Sequence, residues 1–370
     1  MRQHEEERKV TWTELFFDLV FVAAAHQMAT TLKYQETFWN SVPFLLLLLP
    51  ILWVWVGHTM FTNRLGDYGK TYHFFTMGMM VGVLGLVVTL PQAFGDYLSG
   101  FAISYAFARF CLVALFMRSM LRNKTIHHML LNINIGFTIS AVLWFISAFV
   151  PPVFAYSIWV IAFAIDILAP IRSHKKLGSF TVHATHLPER LGLLTVIMLG
   201  EMIISTTATT FDIPLTIDLL SLLIAGLLMI AALANIYFKF SDQCISGRIK
   251  GSGQLFLYSH LPMFIGLVCL ATGYKGIIAY KETTWLIMLG MVLFILSFRG
   301  IKYVAEQRIS TRQIILFFGF FPLLVMHQFY TPSLYFNTIL ISGIFVIYVI
   351  ISDWISIKPT QELRKSDIFG

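Results

Sequence analysis

The sequence has little charge and little cysteine for its 370 residues. Only 12% of its residues are charged, against roughly a quarter in a soluble domain, and 57% are hydrophobic. A soluble chain of this size could not bury so much apolar surface, and the composition also excludes disorder and collagen-like repeats. The three cysteines, Cys111, Cys244 and Cys269, have no C-x-x-C spacing, so neither a zinc site nor a disulfide scaffold is indicated.

Long apolar runs are what the sequence has instead. A helix that crosses a bilayer needs about 20 mostly apolar residues, and this length predicts twelve spans. The first six are 14–31, 41–60, 72–91, 99–119, 129–150 and 152–170. The second six are 188–208, 214–238, 255–274, 283–301, 312–330 and 334–354. We therefore expect an all-α integral membrane protein.

The positions of the cations predict its orientation. With the N-terminus in the cytoplasm, 22 of the 26 Lys and Arg residues fall on cytoplasmic loops and tails. Three, Lys33, Lys275 and Lys281, fall outside, and Arg109 alone lies deep inside a span. This asymmetry predicts that both termini are cytoplasmic. It also explains the net charge of +7 without a nucleic-acid partner.

Recurring offsets between polar residues suggest an internal duplication. His73 and His260 are 187 residues apart, and so are Asp166 and Asp353. Because six spans restore the orientation of the chain, the two copies would be parallel, related by an axis along the membrane normal. Coincidence among rare polar residues near helix ends is the alternative. The predicted six-helix repeats, which form one membrane domain, are residues 1–171 and 172–370.

Ionisable residues within the spans are the candidate functional residues, because each costs at least about 2.5–3.5 kcal/mol to insert. We expect them to face the bundle interior and to find partners. Candidates for an ion or transport site are Glu201, Arg109, His26, Glu14, Asp18 and Asp166. Candidates for a structural network at helix ends are Arg64, His73, Glu189, Arg190, His260 and Asp353. Glu14 and Asp18 also lie near a helix end and fit either group.

Two of the deep charges suggest a buried pair. Glu201 lies twelve residues after Glu189, about 18 Å further along the helix and near the bilayer centre. Arg109 is near the middle of span four, so Arg109 with Glu201 is the leading prediction. Asp166 and the acids of span one are the rival partners for Arg109.

The remaining histidines and the Trp53-Val54-Trp55 stretch do not indicate a functional site. Five histidines fall on predicted cytoplasmic loops with no common zinc spacing, and solvated side chains are expected there. They are His127, His128, His174, His183 and His186. The depth of Trp53-Val54-Trp55 favours packing over an interfacial belt. No metal site or cofactor is predicted.

Two sequence blocks resemble a known family. The first is Glu14-Leu-Phe-Phe-Asp18-Leu-Val-Phe-Val22, and the second runs from His186-Leu-Pro-Glu-Arg190 to Leu-Gly-Glu201. Both are similar to motifs of the bacterial low temperature requirement protein A (LtrA) family, and the resemblance extends along the whole chain. It implies a multi-pass protein of the bacterial inner membrane with a role in growth in the cold. The resemblance implies no particular substrate.

Three classes of function remain open. The first is an ion- or proton-coupled transporter of a small solute, because ionisable residues converge from spans one, four and seven. The second is a cation channel lined by spans one and seven, with a homodimer as one assembly. The third, a membrane enzyme or structural factor, is disfavoured as an enzyme because the sequence has no HExxH or G-x-S-x-G motif. The bilayer and a small ion or solute are the partners expected.

Overall fold

A computed structural model describes most of the chain as helix. The described residues are 10–35, 37–66, 69–173, 183, 185–208, 210, 213–246, 253–279, 281–306, 311, 315–316, 318–320, 322 and 333–366. The long helices among them are α1 (Trp12–Leu32), α2 (Phe38–Leu65), α3 (Lys70–Thr89), α4 (Leu98–Arg122), α5 (Lys124–Ser147), α6 (Pro152–Arg172), α7 (His186–Ala208), α8 (Ile217–Ser246), α9 (Gln254–Ile278), α10 (Thr284–Glu306) and α11 (Leu334–Ser366). A short 3₁₀ turn, Leu90–Gln92, follows α3.

These eleven helices of the described chain are long and apolar enough to cross a membrane. Large apolar side chains face outward on several of them: Phe74 is 70%, Val88 70% and Val160 72% exposed. A soluble protein rarely presents so much apolar surface, whereas a bilayer solvates it. Eleven of the twelve predicted spans are thus confirmed as helices, and span 312–330 lies mostly outside the described residues.

Local sequence signals set the helix boundaries. Thr11 caps α1, and its backbone N–H donates to Glu14 Oε2 at 2.8 Å in a capping box. Helix α2 ends at Gly66, whose φ of 57° lies in the left-handed region that glycine adopts without strain. Helix α6 begins at Pro152, where the missing N–H costs nothing.

The chain divides into two compact units. The first unit comprises Met1–Ile197 with Ile245–Leu261, and the second comprises Met198–Cys244 with Pro262–Gly370. The expected repeat boundary after residue 171, the parallel duplication and the cytoplasmic termini stay predictions.

In the first unit, α2 is the most buried of the helices. It packs against α1, α3 and α4, while α3, α4, α5 and α6 pack in chain order. Small residues let the backbones approach closely. A Cβ built on Gly82 of α3 would lie 3.0 Å from both Ser104 O and Ala108 N of α4. Close packing around α2 therefore places its polar side chains against neighbouring helices.

The second unit uses the same device between α9 and α10. A Cβ on Gly266 would lie 2.8 Å from the carbonyl oxygen of Gly290, so the two backbones touch. Within this unit the Tyr274 and Ser342 hydroxyls lie 2.5 Å apart, and Arg299 Nη2 donates to the Tyr348 hydroxyl at 2.8 Å. Apart from Arg299, the side chains in these contacts are neutral.

Candidate functional site

The most charged buried site of the described first unit surrounds Arg190 on α7. Its Nε donates to Asp18 Oδ2 at 3.2 Å, and its Nη2 pairs with Asp18 Oδ1. Its Nη1 donates to Thr62 Oγ1 of α2 at 3.1 Å, and the guanidinium lies 5.5 Å from the Trp55 ring centroid. All three nitrogens of Arg190 are therefore engaged, and the two-pronged pairing with Asp18 fixes α7 against α1.

Asp18 receives a further donor from α2. Trp55 Nε1 donates to Asp18 Oδ1 at 2.7 Å, and the indole is fully buried. Asp18 thus accepts from Arg190 and from Trp55, so its charge is both balanced and solvated by protein groups.

Glu14, one turn before Asp18, divides its two oxygens between two tasks. Oε2 accepts from the backbone N–H and the hydroxyl of Thr11, each at 2.8 Å, which completes the cap of α1. Oε1 lies 3.3 Å from His186 Nε2 and 3.5 Å from Arg190 Nη1, yet it accepts no hydrogen bond from a described residue. One oxygen of Glu14 therefore caps α1, and the other lies beside His186 and Arg190.

The protonation of His186 follows from its neighbour Asn63. Asn63 Nδ2 lies 3.4 Å from the carbonyl oxygen of His183, which can only accept, so this atom is the amide nitrogen. The same Nδ2 lies 3.2 Å from His186 Nδ1, which must then accept. The proton of neutral His186 therefore sits on Nε2, the nitrogen that faces Glu14.

We call Glu14, Asp18, His186 and Arg190 the Arg190 cluster. All four side chains are at most 1% exposed. With His186 neutral, the cluster carries two negative charges and one positive charge. Asp18 is matched by Arg190, and the charge of Glu14 is left over. Since an uncompensated charge in a low-dielectric interior is costly, one added proton or cation would balance the cluster.

A second buried arginine, Arg109 of α4, pairs with Asp166 of α6. Nη2 of Arg109 donates to Asp166 Oδ1 at 2.5 Å, and the Tyr105 hydroxyl donates to Asp166 Oδ2 at 2.7 Å. The Arg109 guanidinium also lies 4.3 Å from the centroid of the Phe137 ring. The leading prediction, that Arg109 pairs with Glu201, is therefore wrong. The partner is Asp166, which the sequence had offered as the alternative. Helix α5 packs against both α4 and α6, and the Arg109–Asp166 pair joins α4 to α6 directly.

The remaining transport candidates lie elsewhere. Glu201 is buried in the second unit and accepts from the Ser205 hydroxyl at 2.5 Å, one turn along the same helix. His26 is half-buried on α1. A role for either residue in transport stays a prediction.

The predicted helix-end network is only partly assembled. Arg190 joins Glu14 and Asp18, whereas Glu189 beside it is exposed. His73 Nδ1 lies 3.0 Å from the Thr13 hydroxyl, and His260 Nδ1 donates to the Phe256 carbonyl at 2.7 Å. Arg64 is half-buried in the last turn of α2. The side chain of Asp353 lies outside the described residues.

Sequence reasoning placed His186 wrongly and missed Trp55 and His58. His186 was expected to be a solvated loop residue, but it begins α7 and is fully buried. His58 is also fully buried, stacked 3.9 Å from the Phe17 ring, with its Nε2 3.3 Å from the Tyr72 hydroxyl. The signals available were that His58 lies inside predicted span 41–60 and that His186 lies two residues before predicted span 188–208. Of the other two loop histidines of that segment, His183 is half-buried and His174 lies outside the described residues.

Metal chemistry has no evident ligand set in this part of the molecule. Among the residues that the structure describes, no group of three His, Cys, Asp or Glu side chains is placed to hold a metal ion. The Arg190 cluster itself contains a guanidinium, which would repel a bound cation. Its four side chains are thus better suited to holding a proton than a metal.

A fully buried cluster of ionisable side chains among helices of membrane length defines a multi-span membrane protein with an ionisable interior. The chain belongs to the bacterial low temperature requirement A protein (LtrA) family, whose sequence model matches residues 9–350. It is 24% identical over 327 residues to an uncharacterised protein of Rhizobium meliloti (strain 1021), covering 83% of this chain and 80% of that protein. No solved structure matches the chain.

Proposed function

We propose that the chain is a proton-coupled carrier of a small solute in the bacterial cytoplasmic membrane, and that Glu14 holds the coupled proton. The observation that carries the proposal is the uneven charge of the Arg190 cluster. Two buried carboxylates share one guanidinium, so the cluster is balanced only when it gains one positive charge. A proton is the smallest such charge.

Glu14 is a better place for that proton than its neighbours. Asp18 already accepts from Arg190 and Trp55, so protonating it would break established hydrogen bonds. A second proton on His186 would go to Nδ1, which accepts from Asn63. Glu14 Oε1 faces His186 Nε2 at 3.3 Å but accepts no well-formed hydrogen bond from a described residue, so a proton there disturbs fewer hydrogen bonds than a proton on Asp18.

Coupling follows from what the proton changes. When Glu14 is ionised, Oε1 attracts Arg190 across 3.5 Å and thereby draws α1 and α7 together. When Glu14 is neutral, that attraction is lost and Arg190 is held to α1 by Asp18 alone. Protonation thus alters the force between two helices, which is the requirement for linking proton movement to a change in conformation.

The proposal is tested by proton movement in proteoliposomes. The purified chain is reconstituted with a pH-sensitive dye inside, and Na⁺, K⁺, small carboxylates, amino acids and amines are added in turn. We expect at least one solute to change the internal pH in the wild type and none to do so in Glu14→Gln. The glutamine keeps a side-chain oxygen for the Thr11 cap but cannot exchange a proton.

Glu189→Gln is the matched control, because it removes an exposed acid from α7 with the same chemical change. It should retain wild-type coupling. Wild-type coupling in Glu14→Gln, or no proton movement with any solute, would contradict the proposal. Single-channel currents in a planar bilayer would instead support the channel alternative, because channels conduct far faster than carriers turn over.

A further inference from the structure

A groove between α4 and α5 lies on the outer surface of the first unit. Its walls are Leu121 with neighbouring residues near the end of α4, and one face of α5 from His127 to Ile139. Apolar side chains on these walls are open to the surroundings: Leu121 is 80% and Ile135 48% exposed. The polar side chain of Asn134, which also lines the groove, is only 6% exposed. The groove therefore presents a mainly apolar surface to the bilayer.

The length of the groove matches one leaflet of a bilayer. His127 and Ile139 are twelve residues apart, a rise of about 18 Å along α5. The hydrocarbon core of a bilayer is about 30 Å thick, so each leaflet contributes about 15 Å. The apolar span of α5 begins at Leu130, just after His127. His127 thus lies at the level of the lipid headgroups, and the groove runs from there toward the bilayer centre.

The headgroup end of the groove is basic. Arg122, the last residue of α4, is exposed beside the groove residue Leu121. Lys124, the first residue of α5, is exposed three residues before His127 and on the same face of the helix. Neither α4 nor α5 contains an Asp or Glu. This end of the helix pair therefore carries a net positive charge.

We propose that the groove binds an anionic phospholipid of the surrounding leaflet. One acyl chain lies along the apolar walls, and the phosphate lies among Arg122, Lys124 and His127. Basic pockets between transmembrane helices recognise anionic headgroups in this way. A zwitterionic lipid fits the apolar walls equally well but brings no net charge to the basic end, so the site selects lipids by their headgroup.

Two other occupants fit the groove less well. A free phosphate matches the basic end but leaves the apolar walls without a specific contact. A second copy of the chain in the same membrane meets this face at the same depth, so a symmetric contact would bring the two basic ends together and they would repel. An anionic lipid matches both the charge and the apolar length.

Lipid binding is measured on the full chain by native mass spectrometry from a non-ionic detergent. Phosphatidylglycerol and phosphatidylcholine with identical acyl chains are titrated in turn, because they differ in the net charge of the headgroup. We expect the first phosphatidylglycerol to bind at least about tenfold more tightly than the first phosphatidylcholine, the scale of two cations beside an anionic group.

The basic end is tested by the double variant Arg122→Gln/Lys124→Gln. It should lower phosphatidylglycerol affinity by at least about tenfold and leave phosphatidylcholine affinity unchanged, because only the charge is removed. The double variant Lys70→Gln/Arg172→Gln is the matched control. It removes one exposed lysine and one exposed arginine from the ends of α3 and α6, and should keep the wild-type preference.

The apolar walls are tested by Ile135→Trp, which fills the groove with a larger side chain. It should lower phosphatidylglycerol affinity by at least about fivefold. Ile146→Trp is the matched control, because Ile146 is 45% exposed on the same helix and lies outside the groove. This pair leaves every charge in place, so it tests the site independently of the basic residues.

Five results would overturn the assignment. Equal affinity for the two lipids, an unchanged preference in Arg122→Gln/Lys124→Gln, or unchanged binding in Ile135→Trp would each contradict a lipid site here. Displacement of phosphatidylglycerol by inorganic phosphate at matched ionic strength would indicate a site for a soluble anion. A dimer that Ile135→Trp dissociates would indicate an interface between copies. None of these measurements involves proton movement, so this site and the proton site of Glu14 stand or fail separately.

Discussion

Arg190 and Arg109 are equally buried in the same unit, but they use their donors differently. Arg190 engages all three nitrogens, on Asp18 and Thr62, whereas Arg109 engages Nη2 alone, on Asp166. Burial alone therefore does not distinguish the two arginines. They differ in the number of acids beside the guanidinium and in the number of its N–H groups that have no acceptor.

The two sites also differ in which kind of group is in excess, an acid at one and N–H donors at the other. The Arg190 cluster has one acid too many and would be balanced by a proton. Arg109 has donors to spare and would be satisfied by an acceptor. A membrane interior penalises either imbalance, so the two sites differ in the kind of group that would stabilise them.

Arg190→Leu should give the largest effect, because it leaves both Glu14 and Asp18 without their cation. Removing one partner of a buried ion pair costs about 3–5 kcal/mol, a large part of the 5–15 kcal/mol that stabilises a typical protein. We expect little monodisperse protein in mild detergent, measured by size-exclusion chromatography. Arg172→Leu, an exposed arginine at the end of α6, should be normal. A normal yield of Arg190→Leu would show that the cluster is not structurally important.

Arg109→Leu should cost less, about 3 kcal/mol, because only Asp166 is left and Tyr105 still donates to it. The double variant Arg109→Leu/Asp166→Leu should recover most of the loss, since no buried charge remains. Thermal unfolding in detergent of the wild type, both single variants and the double variant measures the coupling. Losses that simply add would contradict the pairing.

The smallest effects come from single hydrogen bonds that can be removed with little change in volume. Tyr105→Phe removes one of the donors to Asp166 and should cost about 1.5–3 kcal/mol, as for a hydrogen bond to a charged group. Thr62→Val removes one acceptor of Arg190, which keeps both bonds to Asp18, and should cost about 1.5 kcal/mol, the low end of the same range. Unfolding midpoints compare them directly. A larger loss in Thr62→Val would reverse the ranking of the two sites.

The spans were predictable from the sequence because hydrophobic length is a local property. The match between predicted span 99–119 and α4, Leu98–Arg122, is representative. The partner of Arg109 was not predictable, because spacing along a chain does not tell which helix faces another. Asp166 meets Arg109 through the packing of α4, α5 and α6, which no local pattern records.

Three of the four residues of the Arg190 cluster were predicted as candidates. Glu14 and Asp18 were singled out as acids four residues apart in a span and Arg190 as a helix-end residue, and Thr11-x-x-Glu14 carries a readable capping signature. His186 was misplaced because span seven was started two residues too late, at 188. Trp55 looked like apolar packing, since nothing in the sequence shows that its N–H meets a carboxylate.

Helix α2 separates the two arginine sites and also joins them mechanically. Trp55 and Gly57 are two residues apart, about 200° around the helix, so one faces Asp18 and the other faces Arg109. A helix moves as a rigid rod over so short a distance. Any roll of α2 that lengthens the Trp55–Asp18 bond must also change the packing of Gly57 against Arg109, so a change at one arginine would be felt at the other through one turn of backbone.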